Sequence, residues 1–176
     1  MRIISGKYKG VTLLGFNIEG TRPTMDRVKE SMFAIIQNNI KGNVLDLFAG
    51  SGALGLEALS NGADKVYFVD NNDIAIDTIK KNIDKVKVKD DTFVYNKDYK
   101  KAIKEFKENN INFDLVLLDP PYSYHILSNL LNSLYDIVND KGMVVLEYDF
   151  DFINTSKFKL FKSKKYGKKY VTFLKK

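Results

Sequence analysis

The sequence predicts an α/β protein with a doubly wound, mostly parallel sheet, a small N-terminal hairpin and a C-terminal antiparallel hairpin. Three observations predict it. Short runs rich in Val, Leu and Phe alternate with amphipathic stretches between positions 44 and 147, the rhythm of strands joined by crossover helices. A glycine-rich turn, Gly50 to Gly55, follows the first run and opens the next amphipathic stretch. Residues 157–176 abandon that rhythm, and their lysines interleave with Phe158, Leu160, Phe161, Tyr166, Tyr170, Val171 and Phe173.

Residues 2–14 alternate weakly around Gly6 and Gly10, as a short hairpin would, and 15–23 form a loop ending in Arg22-Pro23. Thr24 is placed to cap a helix over 25–39, with Val28, Met32, Ile35 and Ile36 on one face. Strands follow at 44–48, 66–70, 93–95, 113–119 and 143–147, with helices at 52–60, 73–84, 99–109 and 123–138. Ile74, Ile76, Ile79 and Ile83 give the second of these helices its apolar face. The last segment reads as two strands turning at or near Tyr166-Gly167. With no repeat or long linker, one domain over 1–176 is expected, residues 1–24 being an appendage to a core over 25–176.

Composition narrows the chemistry. Of 176 residues, 44% are apolar, enough for a real core. Cysteine is absent and His125 is the one histidine. A disulfide framework is excluded, and a zinc or iron–sulfur site lacks its ligands. No apolar run approaches the roughly 20 residues that cross a bilayer, and Met1-Arg2-Ile3-Ile4-Ser5-Gly6 lacks a signal-peptide layout. A soluble protein of a reducing compartment is expected. The net charge of +6 is uneven: residues 1–30 carry +3, 31–156 carry −6 and 157–176 carry +9. A folded, lysine-studded hairpin is an electrostatic footprint for nucleic acid. The three arginines all lie within the first 27 positions of a lysine-rich chain, so Arg22 and Arg27 stand where a planar guanidinium has a use.

Gly50-Ser51-Gly52-Ala53-Leu54-Gly55 matches G-x-G-x-x-G, with Asp70 twenty residues beyond it at the end of the next strand. This is the Rossmann-like nucleotide fingerprint, which by itself fits NAD or S-adenosylmethionine equally. Neighbouring charge separates them. Asp46, Asp70, Asp98 and Asp119 all fall at or near carboxyl ends of strands, where ligands of open α/β sheets bind. A pyrophosphate is poorly received among four carboxylates. S-adenosylmethionine is net cationic, and Asp46 could serve its ammonium, Asp70 its ribose diol and Asp98 its adenine amine.

Asp119-Pro120-Pro121-Tyr122 follows the fourth long strand, expected to lie beside the first. Two prolines fix φ and remove two donors. The Asp119 carboxylate and Pro120 carbonyl are then rigid acceptors for the two hydrogens of a planar amine, and Tyr122 offers a face for a base to stack on. Accepting those hydrogens localises the nitrogen lone pair toward a methyl donor. An NAD enzyme is disfavoured by the carboxylates and by the lack of an evident hydride-transfer residue. Asp rather than Asn at position 119 argues against protein-glutamine methylation, and the short chain leaves little room for a duplex-DNA recognition domain.

On these segments the sequence resembles the RsmD-type bacterial 16S rRNA (guanine-N2) methyltransferases. The resemblance runs from Arg2-Ile3-Ile4-Ser5-Gly6-Lys7 through Arg22-Pro23-Thr24-Met25-Asp26-Arg27 and Leu45-Asp46-Leu47-Phe48-Ala49-Gly50 to Asp119-Pro120-Pro121-Tyr122 and Lys165-Tyr166-Gly167. It implies a class I S-adenosylmethionine-dependent methyltransferase fold and a cytoplasmic monomer. The implied reaction methylates one guanine of 16S rRNA, guanine 966, in the small ribosomal subunit. The implied cofactor site is Asp46, Phe48, Ala49, Gly50, Ser51, Gly52, Asp70, Asn71 and Asp98, with Thr24 and Arg27 covering its methionine end or meeting rRNA. The implied catalytic residues are Asp119, Pro120, Pro121 and Tyr122, with no metal. Another nucleobase amino-methyltransferase, acting on adenine N6 of DNA or RNA, is the alternative. Asp70 stands where the family has Glu, Lys29 where it has Arg and Ala34 where it has Asn, departures that bear on rRNA contacts rather than on the reaction.

Overall fold

The computed structural model describes residues 1–15, 26–120, 124–149, 155 and 157–176. Helix α1 spans Asp26–Ile36. Strand β1 (Asn43–Leu47) leads into α2 (Ala53–Ser60), β2 (Lys65–Asp70) and α3 (Asp73–Val86). Then come β3 (Thr92–Asn96), α4 (Tyr99–Glu108), β4 (Phe113–Leu118), α5 (Tyr124–Leu134) and β5 (Val138–Tyr148). Strands β6 (Lys159–Tyr166) and β7 (Lys169–Lys175) complete the chain.

All seven strands join one sheet in the order β3-β2-β1-β4-β5-β7-β6. The first five run parallel, β7 is antiparallel to β5, and β6 to β7. The order reverses between β1 and β4, so a crevice opens at their carboxyl ends, where Asp46 and Asp119 lie. Central strands are apolar on both faces because helices cover both. Val44, Val66, Phe68, Leu115, Leu117, Val145 and Phe173 pack under α1, α2, α3 and the N-terminal segment. Leu45, Leu47, Val116, Leu118, Val144 and Leu146 pack under α4 and α5. Among the described residues no helix is long and apolar enough to cross a membrane.

Several boundaries differ from expectation for identifiable reasons. The helix expected over 123–138 gives way at Leu134 to a 3-10 turn at Tyr135–Ile137, and β5 starts at Val138. Leu130, Leu131, Leu134, Ile137 and Val138 continue a helical period in sequence, but Val138 pairs with Phe113, and the ladder bulges before Leu115 meets Met143. Helix α1 stops at Ile36 and a 3-10 turn covers Gln37–Asn39. Its buried face includes Lys29 and Phe33, and Ile35 is only half-buried. Ile74, in the first turn of α3, is 60% exposed. The N-terminal segment has a single bridge, Arg2 to Thr12, rather than two strands. The Thr24 cap lies outside the described residues. The C-terminal hairpin turns at Gly167-Lys168, with Gly167 at φ 62°, the backbone a two-residue hairpin loop favours.

Candidate active site

The glycine loop is shaped by three left-handed residues, Phe48 (φ 69°), Gly50 (φ 55°) and Gly52 (φ 77°). A non-glycine residue in that region is uncommon. Phe48 is held there by the sheet: the Phe48 and Ala49 N–H groups both donate to Val69 O at 3.0 Å. The Gly52 N–H closes the turn onto Ala49 O at 2.7 Å, and α2 begins at the next residue. The third glycine serves packing, since a Cβ on Gly55 would lie 2.3 Å from Phe68 Cε1. Helix α2 can approach the sheet only without a side chain there.

The expected acids lie at or just past strand ends, and Asp46, Asp70 and Asp98 each have a distinct local partner. Asp70 accepts from the Gly50 N–H through Oδ2 and from the Asn72 N–H through Oδ1, both at 2.9 Å. It therefore locks the glycine loop to the end of β2 and, as a carboxylate with about four acceptor sites, keeps capacity for hydroxyl donors. Asp, one methylene shorter than Glu, reaches the loop backbone directly. Asn71 beside it is exposed. Asp98 is half-buried and caps α4 through the Lys100 N–H at 2.9 Å. Ser51 is buried and turned away, its hydroxyl toward Met1 Sδ at 3.7 Å and its carbonyl accepting from Asn82 Nδ2 at 2.9 Å. Arg27 is exposed on α1. Thr24, Pro121 and Tyr122 lie outside the described residues, and Asp119 and Pro120 are half-buried at the end of β4.

Asp46 is 2% exposed, with Oδ2 accepting from the Gly55 N–H at 2.8 Å. Burial pushes its carboxyl up to about 8; the Gly55 bond opposes this, and the Asp70 and Asp119 charges add to it. Asp119 is pushed up to about 7, first by burial, then by Glu147 and Asp149, with Lys169 opposing. Acids raised by burial and by neighbouring acids belong to a site that gains when a cation enters. A ligand carrying an ammonium and a sulfonium suits this donor set, and a pyrophosphate does not.

Two residues here have no counterpart among the expected ones. Glu147, 2% exposed near the end of β5, accepts from the Lys169 ammonium through Oε1. Leu118 pairs with Leu146, so Asp119 runs alongside Glu147 in continued register. Glu147 stands at a strand end as Asp46, Asp70 and Asp119 do, and the same signal could have found it. Lys169 is hidden among nine hairpin lysines. Lys29 corrects an expectation about rRNA contacts: it is 1% exposed, 3.7 Å from Glu57 Oε2, and donates to Arg2 O at 2.7 Å. It is an internal strut. Among the described residues there is no His/Cys/Asp/Glu group of metal-binding kind.

Comparison with known proteins agrees with this geometry. The family model described as conserved hypothetical protein 95 matches residues 1–175. The chain is 40% identical over 152 residues to the YlbH protein of Bacillus subtilis, spanning 85% of this chain and 83% of that one. It is 38% identical over 136 residues to ribosomal RNA small subunit methyltransferase D of Haemophilus influenzae, 76% of this chain and 70% of that one. The solved structure of yhhF from Escherichia coli superposes with a TM-score of 0.86 at 28% identity, covering 100% of this chain and 97% of that one.

Proposed function

We propose, starting from the fact that the chain belongs to the RsmD-type rRNA methyltransferase family, that it transfers a methyl group from S-adenosylmethionine to N2 of one guanine of 16S rRNA, guanine 966 in the family's terms. The observation that carries the reading is the shared mouth at the β1/β4 switch point. There Asp46, raised by burial and by the Asp119 charge, lies beside a glycine loop pinned by Asp70. When bound, S-adenosylmethionine supplies an activated methyl on a positively charged sulfur.

The chain's own residues do the rest. Asp70 presents its remaining acceptor capacity to the ribose hydroxyls, and Asp98, at the exit of β3, faces the adenine amine. Asp46, beneath the loop, fixes α2 through Gly55 and is drawn toward its ionised form when the cationic cofactor enters. Phe48, Ala49, Gly50, Ser51 and Gly52 supply backbone to the cofactor cleft, with Asn71 at its rim, and Thr24 and Arg27 close its methionine end. Asp119 and the Pro120 carbonyl accept the two hydrogens of the guanine amine and turn its lone pair toward the methyl. Pro121 stiffens the turn and Tyr122 stacks on the base. Positioning and electrostatics supply the rate. The outward lysines of the β6–β7 hairpin hold the phosphate backbone. The substrate is the assembled small subunit and the enzyme is a cytoplasmic monomer.

The test incubates the protein and isotopically labelled S-adenosylmethionine with unmodified small ribosomal subunits, naked 16S rRNA and duplex DNA. Mass spectrometry then maps the product nucleoside. N2-methylguanosine at one position in the particle is the expected product. Label on adenine N6, in RNA or DNA, would replace the guanine assignment.

A further inference from the structure

We infer that Lys169 is a positioning residue for methyl transfer: its ammonium, clamped by Glu147, holds Asp119 as a hydrogen-bond acceptor for the incoming amine. This rests on the proposed role of Asp119 and adds a second element to the site, the hairpin. The geometry comes from register. Asp119 and Glu147 each follow the last pair of the β4–β5 ladder, Leu118 with Leu146, and Glu147 pairs with Val171 of β7. Val171 and Phe173 face the α1 side of the sheet, so Lys169, two residues before Val171, shares that face. Its ammonium reaches back to Glu147 across the strand pair. Among the described residues, the charged groups acting on Asp119 are Glu147 near the end of β5, Asp149 just past β5 and Lys169 on β7, and Asp119 in turn acts on Asp46 of β1. Lys169 is the one cation of the set.

The balance of charge explains why it is needed. Ionised, Asp119 accepts through both oxygens; protonated, one oxygen becomes a donor and the remaining carbonyl is a weaker, neutral acceptor for the amine. Burial and two neighbouring acids, Glu147 and Asp149, favour the protonated form, and Lys169 opposes them. Partial burial works against the charge on Lys169, but Asp119, Glu147 and Asp149 outweigh it and raise its pKa above the ordinary lysine value. The ammonium therefore stays charged across the working range. Glu147 has two opposed effects: it anchors the lysine, and its own charge pushes Asp119 toward protonation.

Those opposed effects can be told apart by sign. The Asp119 carboxyl can be titrated by carbon-13 NMR in protein free of cofactor and RNA, its signal identified by its loss in Asp119→Asn. Lys169→Gln is expected to move the midpoint up by about one pH unit, and Glu147→Gln to move it down. Lys169→Arg is expected to restore the original value. The acidic limb of kcat on unmodified small subunits should move in the same directions, while the Kd for S-adenosylmethionine changes less than about twofold. An unmoved midpoint in Lys169→Gln, or shifts of the same sign in both variants, would overturn the inference. Full activity in Asp119→Asn would overturn the underlying reading of Asp119. A dead Asp119→Asn together with an unmoved midpoint in Lys169→Gln would sink this inference alone.

Discussion

Two buried glutamates of this chain each bind a lysine, and the two pairs do opposite work. Glu57 on α2 and Lys29 on α1 are each 1% exposed. Glu57 also accepts from the Ile4 N–H, the Ser5 N–H and the Ser5 hydroxyl, all within 3.1 Å. That carboxylate stitches the N-terminal segment to the core. Glu147 is as buried, but its Lys169 partner is 38% exposed and lies beside Asp119. Burial, the largest influence on Lys29, lowers its pKa, and Glu57 and Asp26 recover only part of the loss. Lys169 is raised by its acidic neighbours. The same two side chains make a strut where backbone donors saturate the acid, and an electrostatic device where a third titrating group faces them.

The largest expected effect tests the strut. Glu57→Ala leaves Lys29 buried without its nearest counter-charge and strips partners from three N-terminal donors. It should cost about 3–5 kcal/mol in urea unfolding. Glu147→Ala should cost less than half as much, because water can reach Lys169. Equal costs would erase the distinction between the pairs.

Next comes the reaction. Asp119→Asn keeps the shape of the turn but replaces one acceptor oxygen by a donor amide. Methyl transfer should fall on the order of 10²–10³-fold, with S-adenosylmethionine affinity within about twofold by calorimetry. A parallel collapse of cofactor binding would merge what we treat as two halves of one crevice. In the active enzyme the rate should rise with pH through about 7, as Asp119 ionises.

How far the sequence reveals this follows from what kind of pattern each feature makes. The alternation of strands and helices, the glycine turn and the position of Asp70 are local spacings, and a one-dimensional reading finds them. Val138 reads as helix because its apolar spacing continues α5, whereas its partner Phe113 lies 25 positions earlier. Lys29 and Glu57 meet across 28 positions, and Lys169 reaches Glu147 across 22. In composition each is one more surface charge. Only the sheet order, which places β7 beside β5, separates Lys169 from the eight other lysines of its segment.

A third buried acid shows what the lysines accomplish. Asp46 has the Gly55 N–H but, among the described residues, no ion-pair partner, and its carboxyl sits near 8. Its folded pKa lies above the unfolded value near 3.8. The stability it contributes is therefore whole below about pH 4 and is lost as pH rises through about 8. Asp46→Asn removes that dependence. The variant should be more stable than the parent at pH 8.5, and the difference should vanish toward pH 4. Denaturant midpoints across that range decide it, and a pH-independent difference would mean that Asp46 titrates normally.

The smallest effect sharpens the contrast within the hairpin itself. Lys162 and Lys168 are exposed, while Lys169 is turned toward Glu147. If the outward lysines meet phosphates, Lys162→Gln with Lys168→Gln should reduce the slope of log K against log salt for small-subunit binding, by about 0.7 for each phosphate no longer neutralised. The pH profile of methyl transfer should stay where it was. Lys169→Gln should do the reverse, shifting the profile and leaving the salt slope unchanged. One hairpin would then carry two sets of lysines distinguished by exposure and by partner, the exposed ones reading RNA charge and Lys169, paired with Glu147, setting the charge of the catalytic acid. A slope unmoved by the outward pair would instead place the rRNA contact elsewhere, with the region around Arg27 the next to test.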